Sequence, residues 1–224
     1  MSEERKTLFK YFIGKEGAER FKQNPVGVPL IIDVFRCSST IITALVRGAI
    51  AIFPMEGVEE SREKALKTGA LLAGERGGIP PKGFDFGNSP CEMLRADIKG
   101  KEIVLTTGMG TKLMVERGVV TSTLNISRVV DYVNGKDVNF MIGGRDEYYV
   151  SPDDFALAKI VEKKHNGQSY SDWVEVLEKN CQNTEYLRKI GFGDDVDFIL
   201  KSFDRFPVLP VIKHGKITLL ECAR

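Results

Sequence analysis

Short runs of β-branched and other apolar residues recur along this chain, and most are followed by a longer segment in which apolar residues have helical spacing. The apolar runs predict strands at 29–32, 50–53, 70–73, 101–107, 119–122 and 138–142. Strands that alternate with helices in this way are typical of an α/β fold with a largely parallel sheet.

Residues that start and stop helices support the same interpretation. Ser38 or Ser39 can cap a helix that ends near Gly48, and Gly69 is placed to end a charged helix over 58–68. Pro90 opens a short helix directly after Asn88-Ser89. Further helices are predicted from the glycine-rich turn at 108–111 to about 116, and at 125–133, 152–165, 170–180 and 194–202.

The end of the chain predicts a different element. Two apolar runs, at 208–212 and 217–220, flank a polar turn and are typical of a hairpin. We therefore expect a three-layer α/β/α fold with a largely parallel or mixed sheet and a C-terminal β-hairpin. The 224 residues are expected to form a single domain, in which 151–224 either joins the main core or forms a helical and hairpin subdomain.

Composition and charge exclude several classes of partner. Lysine plus arginine (32) nearly equals aspartate plus glutamate (31), so no overall field favours nucleic acid or an anionic membrane. The longest apolar stretch, 41–53, is interrupted by Arg47 and Gly48 and is shorter than the ~20 residues of a bilayer-spanning helix. The first residues, MSEERKTLFKYF, lack the apolar core of a signal peptide, so we expect a cytoplasmic protein.

The cysteines are scattered and only two histidines are present, which disfavours a structural zinc site. A metal bound here would take carboxylate and hydroxyl oxygens, which suit Mg²⁺, Ca²⁺ or Mn²⁺. Cys37 lies at a predicted helix start, where a thiol can become a nucleophile. Thr43 occupies the position, six residues later, that holds arginine in tyrosine phosphatases. We therefore interpret Cys37 as a packing residue.

The segment GERGGIPPKGFDFGNSP, 74–90, contains too many glycines and prolines for a helix or a central strand. Loops of more than about 12 residues are uncommon unless they bind a ligand or are disordered, and the two phenylalanines disfavour disorder. The polar side chains that it offers to a ligand are Glu75, Arg76, Lys82, Asp85 and Asn88. We expect a ligand-binding loop, and an ordered structural loop is the alternative.

Four predicted strands end in unusual sequence, at turns that begin with Asp33, Gly74, Thr106 and Gly143. The carboxyl ends of strands line the ligand crevice of open α/β sheets, so these turns are expected to share one site. Asp33 follows a buried strand directly. A carboxylate there can bind magnesium, attack phosphorus, or simply cap the next turn.

Two of these turns suit an anion. Arg36 and the hydroxyls of Ser38, Ser39 and Thr40 lie at a predicted helix start, where free N–H groups and the helix dipole favour negative charge, although the serines can equally be ordinary caps. The turn TTGMGT, 106–111, can wrap an oxyanion or be a plain strand-to-helix connection. It lacks the lysine and spacing of a nucleotide P-loop, which disfavours ATP.

Three segments together, IIDVFRCSSTIITAL, LLAGERGGIPPKGFDFGNSP and GKEIVLTTGMGT, resemble the 2-phosphosulfolactate phosphatase family. They are similar to its blocks IDVLRATSTI, LLAGERGG followed by GFDLGNSP, and GKTIVLTTTNGT. The resemblance is strong over about 28–122 and weaker through Ser151-Pro152-Asp153-Asp154 and the tail. It implies a Mg²⁺-dependent phosphatase that releases phosphate from 2-phospho-3-sulfolactate in coenzyme M biosynthesis, or from a related phosphorylated 2-hydroxy acid.

The resemblance also implies where the site lies. The matching positions are Asp33, Arg36, Ser38, Ser39, Thr40, Glu75, Arg76, Asp85, Asn88, Thr106, Thr107 and Thr111. We expect Asp33, Glu75 and Asp85 as metal ligands, with Asp33 as the candidate nucleophile and Asp33, Arg36 and Glu75 as the catalytic group. Arg76, Lys82 or Arg145 would engage the carboxylate and sulfonate of the substrate.

Two departures from the family pattern affect substrate contacts. Gly108-Met109 replaces a threonine and an asparagine, and IGGRDEYYVSPDD stands where a sequence closer to GTDGRFSLED is expected. The alternative function is a non-catalytic binding protein or sensor for small phosphorylated acids; a purely structural protein is disfavoured by the converging turns. The expected partner is a small anionic substrate, with no nucleic acid and no membrane, and both monomer and homodimer remain open.

Overall fold

The computed structural model describes residues 7–146, 149–179 and 182–220. Within them the chain forms eleven strands and nine α-helices. The strands are β1 (Phe9–Ile13), β2 (Val28–Ile32), β3 (Ala51–Met55), β4 (Leu71–Gly74), β5 (Glu102–Thr106), β6 (Val119–Thr121), β7 (Val138–Ile142), β8 (Gly144–Asp146), β9 (Tyr149–Val150), β10 (Pro210–Lys213) and β11 (Lys216–Leu219). The helices are α1 (Gly14–Gln23), α2 (Cys37–Val46), α3 (Val58–Thr68), α4 (Pro90–Arg95), α5 (Ile126–Val133), α6 (Pro152–His165), α7 (Ser171–Lys179), α8 (Gln182–Lys189) and α9 (Gly193–Lys201).

Nine strands form one mixed sheet in the order β1-β7-β2-β6-β10-β11-β3-β5-β4. One parallel group contains β1, β7, β2 and β6, and a second contains β3, β5 and β4. The antiparallel hairpin β10–β11 lies between them and joins them through two residue pairs, Val211 with Val119 and Ile217 with Ile52. The predicted α/β fold with a mixed sheet and C-terminal hairpin is therefore confirmed, and the hairpin occupies the centre of the sheet.

Strands β2, β6 and β7 of the first parallel group are buried on both faces. In β2, Ile31 packs into a core that includes residues of α1 and α2, whereas Leu30 and Ile32 pack into a second core with α5 and α6. Strands covered by helices on both faces have near-continuous apolar sequence, which is why 28–32 and 138–142 are recognisable. This arrangement gives the predicted three layers.

Helix α2 is the central helix of the molecule. Nine of its ten residues are buried, and it contacts β6 of one parallel group and β3 of the other. A helix that is buried on nearly every side is typical of a core element. Its start is therefore held rigidly at the carboxyl end of β2, where Asp33 lies. No helix in the described part of the chain is long and apolar enough to cross a membrane.

Strongly patterned elements match the prediction closely. Helices α3 and α6 and strand β7 begin and end at the predicted residues, and Gly69 ends α3 with a φ of 71°. The helix predicted to run to residue 116 is wrong, because only a short 3-10 turn, Gly110–Leu113, forms there. The side chains and backbone of Thr107 and Thr111 hydrogen-bond to each other in this turn, and the chain leaves it with Met114 in an extended conformation.

Candidate functional site

A cavity of about 330 Å³ lies where four strand ends meet. Asp33 and Arg36 line it from the turn after β2, Glu75 from the turn after β4, Gly108 from the turn after β5, and Gly143 from the turn after β7. The structure thus brings together the four turns that the sequence predicted to share a site. Strands of both parallel groups deliver them, and the start of α2 lies between the two groups.

The opposite wall comes from α6 and α8. Asp153 and Asp154 of α6, with Asn183 and Tyr186 of α8, line the cavity. The sequence predicts the two aspartates only as part of a helix start, and it does not predict α8. The signal for the aspartates was available, since they follow closely after the turn at Gly143. Helix α8, QNTEYLRK, is too polar to show a helical pattern of apolar residues, and only Thr184 and Leu187 are buried.

Asp33 both caps α2 and faces the cavity. Its Oδ1 accepts the N–H of Cys37 at 3.2 Å, which is the capping role considered as an alternative. The pKa of Asp33 is raised to about 7, mainly because the carboxyl group is buried. The negative charges of Glu75 and Asp153 also raise this pKa, whereas the Cys37 N–H and the positive charge of Arg36 lower it. A carboxyl group with this pKa can exchange a proton near neutral pH.

Two other cavity carboxylates are held by backbone amides at both oxygens. Glu75 accepts the N–H of Gly108 at 2.7 Å and that of Gly78 at 2.8 Å. Asp154 accepts the N–H of Val34 at 2.8 Å and that of Gly143 at 2.9 Å. Glu75 therefore braces the loop after β4 against the turn after β5, and Asp154 ties the ends of β2 and β7 to α6.

Asp154 is also electrostatically strained. Burial raises the pKa of its carboxyl well above the usual range, and the charges of Asp153 and Asp33 raise it further, against the effect of its two amide donors. The cavity thus concentrates negative charge, and a bound cation would relieve it.

Arg36 is buried and already paired. Its Nη1 lies 2.7 Å from Oδ2 of Asp195, its Nη2 donates to the carbonyl of Gly78 at 2.8 Å, and its guanidinium lies 4.0 Å from the ring centre of Phe192. Asp195 in turn accepts the Oγ–H of Ser89 at 2.7 Å. The predicted phosphate-binding arginine therefore links the turn after β2 to the 74–90 loop and to α9. Asp195 was not predicted as a site residue, because nothing in the local sequence distinguishes it from other acidic residues at helix starts.

The hydroxyls predicted at the start of α2 point into the fold. Ser38 Oγ donates to the carbonyl of Ile31, and Ser39 Oγ donates to that of Val34 and contacts Ser122 Oγ. Thr40 Oγ1 is buried with no partner among the described residues. The structure brings none of these three hydroxyls to the cavity wall.

The other predicted hydroxyls and Arg76 also form hydrogen bonds that stabilise the turns. Arg76 donates to Thr106 Oγ1 at 2.8 Å and to the carbonyl of Glu56 at 2.7 Å. Thr107 Oγ1 accepts the N–H of Thr111 at 3.0 Å. These residues lie behind the cavity wall and stabilise the turn after β5. The part of the wall that this turn contributes is formed by Gly108 and Met109.

The loop over 74–90 divides into two parts. Glu75 and Asn88 line the cavity, and Asn88 is 3 % exposed with an Oδ1 that has no partner among the described residues. Asp85 is exposed and its Oδ2 accepts the N–H of Leu72 at 2.7 Å, so the structure separates it from Asp33 and Glu75. Lys82 is exposed and is not part of the cavity wall, and the side chain of Arg145 lies outside the described residues.

Comparison with known proteins identifies the family. Residues 15–215 match the family model for 2-phosphosulpholactate phosphatase. The chain belongs to the 2-phosphosulfolactate phosphatase family. It is 35 % identical to a probable 2-phosphosulfolactate phosphatase of Thermotoga maritima over 86 % of this chain and 92 % of that protein. A protein of the same description from Carboxydothermus hydrogenoformans is 34 % identical over 89 % of this chain and 90 % of its own length. The chain is accordingly a phosphoric monoester hydrolase.

The donor set in this member of the phosphatase family suits a hard cation. Among the described residues, no group of three or more His, Cys, Asp or Glu side chains is arranged to hold a metal ion. Mg²⁺ does not need one, because it commonly keeps several waters and takes one or two carboxylates plus phosphate oxygens of the substrate. Asp33 and Glu75 line the same cavity as candidate ligands, and the unpartnered Oδ1 of Asn88 is a further oxygen.

Gly110 is the position in the phosphatase turn where a side chain should do most harm. A Cβ there would lie 2.6 Å from Asp33 Oδ2 and would also overlap Cys37, whereas a Cβ on Gly108 would meet Glu75 Oε1 at an ordinary 3.5 Å. We expect Gly110→Ala to cost about 1–3 kcal/mol of unfolding free energy and to lower kcat by about 100-fold through displacement of Asp33.

Thermal melts and phosphate release measure both effects, and Gly108→Ala is the matched control. The Gly108 variant should keep its stability and most of its turnover. Equal behaviour of the two variants would contradict the packing of Gly110 against Asp33.

Proposed function

We propose that this protein hydrolyses 2-phospho-3-sulfolactate, or a related phosphorylated 2-hydroxy acid, to the hydroxy acid and phosphate, and that it requires Mg²⁺. The observation that carries the proposal is the placement of Asp33. Its carboxyl group stands at the rigid start of α2, faces the cavity, and has a pKa of about 7. The substrate class is supported by the names of the relatives.

The charge of the cavity supports the requirement for a cation. Among the described lining residues, Asp33, Glu75, Asp153 and Asp154 are carboxylates, and the cation Arg36 is neutralised by Asp195. A substrate with phosphate and carboxylate groups would be repelled by such a wall. Bound Mg²⁺ would offset this charge and polarise the phosphoryl oxygens. Asp33 and Glu75 are the residues we propose to hold it.

The remaining residues position and enclose the substrate. The amide of Asn88 is buried at the cavity wall, where it can hydrogen-bond a phosphoryl oxygen or a metal-bound water. Helix α8 covers the cavity and is held to the loop by Tyr186, whose hydroxyl donates to the carbonyl of Gly77 at 2.9 Å. Asp33 supplies the carboxyl group that reacts, either by attack on phosphorus or by proton transfer. Cys37 is not a competing nucleophile, because burial raises the pKa of its thiol well above the usual value.

Phosphate release tests this proposal directly. We expect the wild-type protein to release phosphate from 2-phosphosulfolactate in the presence of Mg²⁺, to lose this activity in EDTA, and to regain it when Mg²⁺ is restored. 2-Phospholactate, which lacks the sulfonate, tests the breadth of the substrate class. Binding of these acids without any phosphate release would contradict the proposal and would favour a sensor or binding protein.

A further inference from the structure

The four cavity carboxylates differ in how many of their oxygens are already used. Both oxygens of Glu75 and both of Asp154 accept backbone N–H groups. These two side chains are fixed parts of the wall, because each of their oxygens accepts a hydrogen bond from a turn and so leaves only its second lone pair for a ligand such as a cation. They are poorly placed to exchange a proton with a ligand.

Asp33 and Asp153 each have one carboxylate oxygen that is weakly hydrogen-bonded or not hydrogen-bonded within the described residues. Among the described residues, Asp33 has a hydrogen bond only at Oδ1, from Cys37. Oδ1 of Asp153 accepts the Oγ–H of Ser151 at 2.6 Å and the amide of Asn183 at 3.1 Å, while its Oδ2 has only a long 3.3 Å contact with the same amide. Asp153 is 2 % exposed, lines the same cavity as Asp33 and interacts with it electrostatically.

We propose that Asp153 is a second catalytic carboxylate, which accepts through Oδ2 the proton of the water that attacks phosphorus. This inference rests on the proposed phosphatase function. As the water oxygen bonds to phosphorus, its O–H bond breaks and the proton passes to Asp153. The bond from phosphorus to the departing oxygen breaks at the same time. The proton then leaves Asp153 for the substrate alkoxide or, if Asp33 carried the phosphoryl group, for solvent.

Asn183 is a positioning residue in this scheme. It lies on α8, and its amide donates to the same Oδ1 of Asp153 that accepts the hydroxyl of Ser151. The attachment of α8 thereby sets the direction of Oδ2, the oxygen of Asp153 with the weaker hydrogen bond. A residue with this task affects turnover more than substrate affinity, whereas a residue that only binds substrate raises KM with kcat unchanged.

The decisive experiment compares Asp153→Asn with wild type in phosphate release at saturating Mg²⁺. We expect kcat to fall by about 10²- to 10⁴-fold, the usual contribution of general acid–base catalysis, with a melting temperature close to that of wild type. The matched control is Asp154→Asn next to it, which should lower the melting temperature because an amide cannot accept both the Val34 and Gly143 N–H groups. In Asp153→Ala, added formate should restore part of the lost turnover, and Asn183→Ala should lower kcat with little change in KM.

Turnover of Asp153→Asn above about a tenth of the wild-type value, or failure of formate to restore any activity, would overturn the role of Asp153. A rise in KM alone for Asn183→Ala would overturn its positioning role. Failure of the proposed function would look different, because the wild-type protein itself would then release no phosphate.

Discussion

Asp33→Asn should lower kcat for phosphate release by at least about 10³-fold, because an amide can neither attack phosphorus, exchange a proton, nor bind Mg²⁺ as a carboxylate does. The variant should otherwise keep the site intact. Its Oδ1 can still accept the Cys37 N–H that Asp33 accepts at 3.2 Å. Steady-state phosphate release with saturating Mg²⁺ measures the loss. Cys37→Ala is the control and should retain most of the activity; the reverse result would contradict the assignment of Asp33.

The stability of the same variant provides an independent check. The pKa of Asp33 is raised from 3.8 to about 7 in the folded protein, so its protonated form favours folding and this contribution is lost as pH rises through that window. Asparagine does not titrate. In EDTA, the melting temperature of Asp33→Asn should therefore rise relative to wild type between pH about 4 and about 8. A constant difference across this range would show that Asp33 is not buried as described.

Asp195→Asn should be the most destabilising single change near the site. It removes the carboxylate that pairs with Arg36 at 2.7 Å, where the two side chains are only 1 % and 2 % exposed. Breaking a buried ion pair leaves an uncompensated charge and costs about 3–5 kcal/mol. Asp195 Oδ1 also accepts hydrogen bonds from Ser89 and from the N–H of Cys91, which the amide oxygen of asparagine can keep, so the loss falls on the Arg36 pair. Urea unfolding followed by circular dichroism measures the loss of free energy.

The same substitution two residues later is the matched control. Asp197 lies on the same helix, α9, and pairs with Arg188 and Lys201, but its side chain is 43 % exposed. Exposed pairs contribute about 0–1 kcal/mol, so Asp197→Asn should be nearly neutral. Similar losses for the two variants would contradict the structural role given to the Arg36–Asp195 pair.

The location of the site could be predicted because it follows from the topology. The end of an apolar strand can be recognised where its apolar run stops. Such ends are followed, within one or two residues, by Asp33, Glu75, Gly108 and Gly143. The carboxyl ends of strands form the crevice of α/β folds, and the cavity lies where the rule places it. The loop after β4 was recognisable for the same reason, since its glycines and prolines exclude any other element.

The direction of individual side chains could not be predicted. Ser38 and Ser39 have residue types suited to an anion, yet α2 is buried on nearly all sides and their hydroxyls bond to the backbone of the β2 segment. Hydroxyl groups in helices commonly donate a hydrogen bond to a nearby backbone carbonyl in this way. Arg36 is directed inward by Asp195, which lies 159 residues away in the sequence. Contacts over such a distance leave no local pattern.

The opposite wall of the cavity was missed for a related reason. Helix α8 contributes Asn183 and Tyr186 but buries little apolar surface, so its sequence lacks a clear apolar stripe. Its position depends on hydrogen bonds to Asp153 and to the carbonyl of Gly77. Elements that are held mainly by polar contacts give the weakest periodic signal.

The central claim is that the cavity between Asp33 and α8 binds a phosphorylated 2-hydroxy acid together with Mg²⁺. Substrate bound to the wild-type protein would be turned over, and Asp33→Asn would lack a proposed Mg²⁺ ligand. The direct measurement is therefore the crystal structure of the wild-type protein with Mg²⁺ and a non-hydrolysable analogue of 2-phosphosulfolactate. We predict the phosphoryl group within hydrogen-bond distance of Asn88, close to residue 33 and to Asp153. A substrate bound elsewhere on the protein, with this cavity empty, would contradict the account.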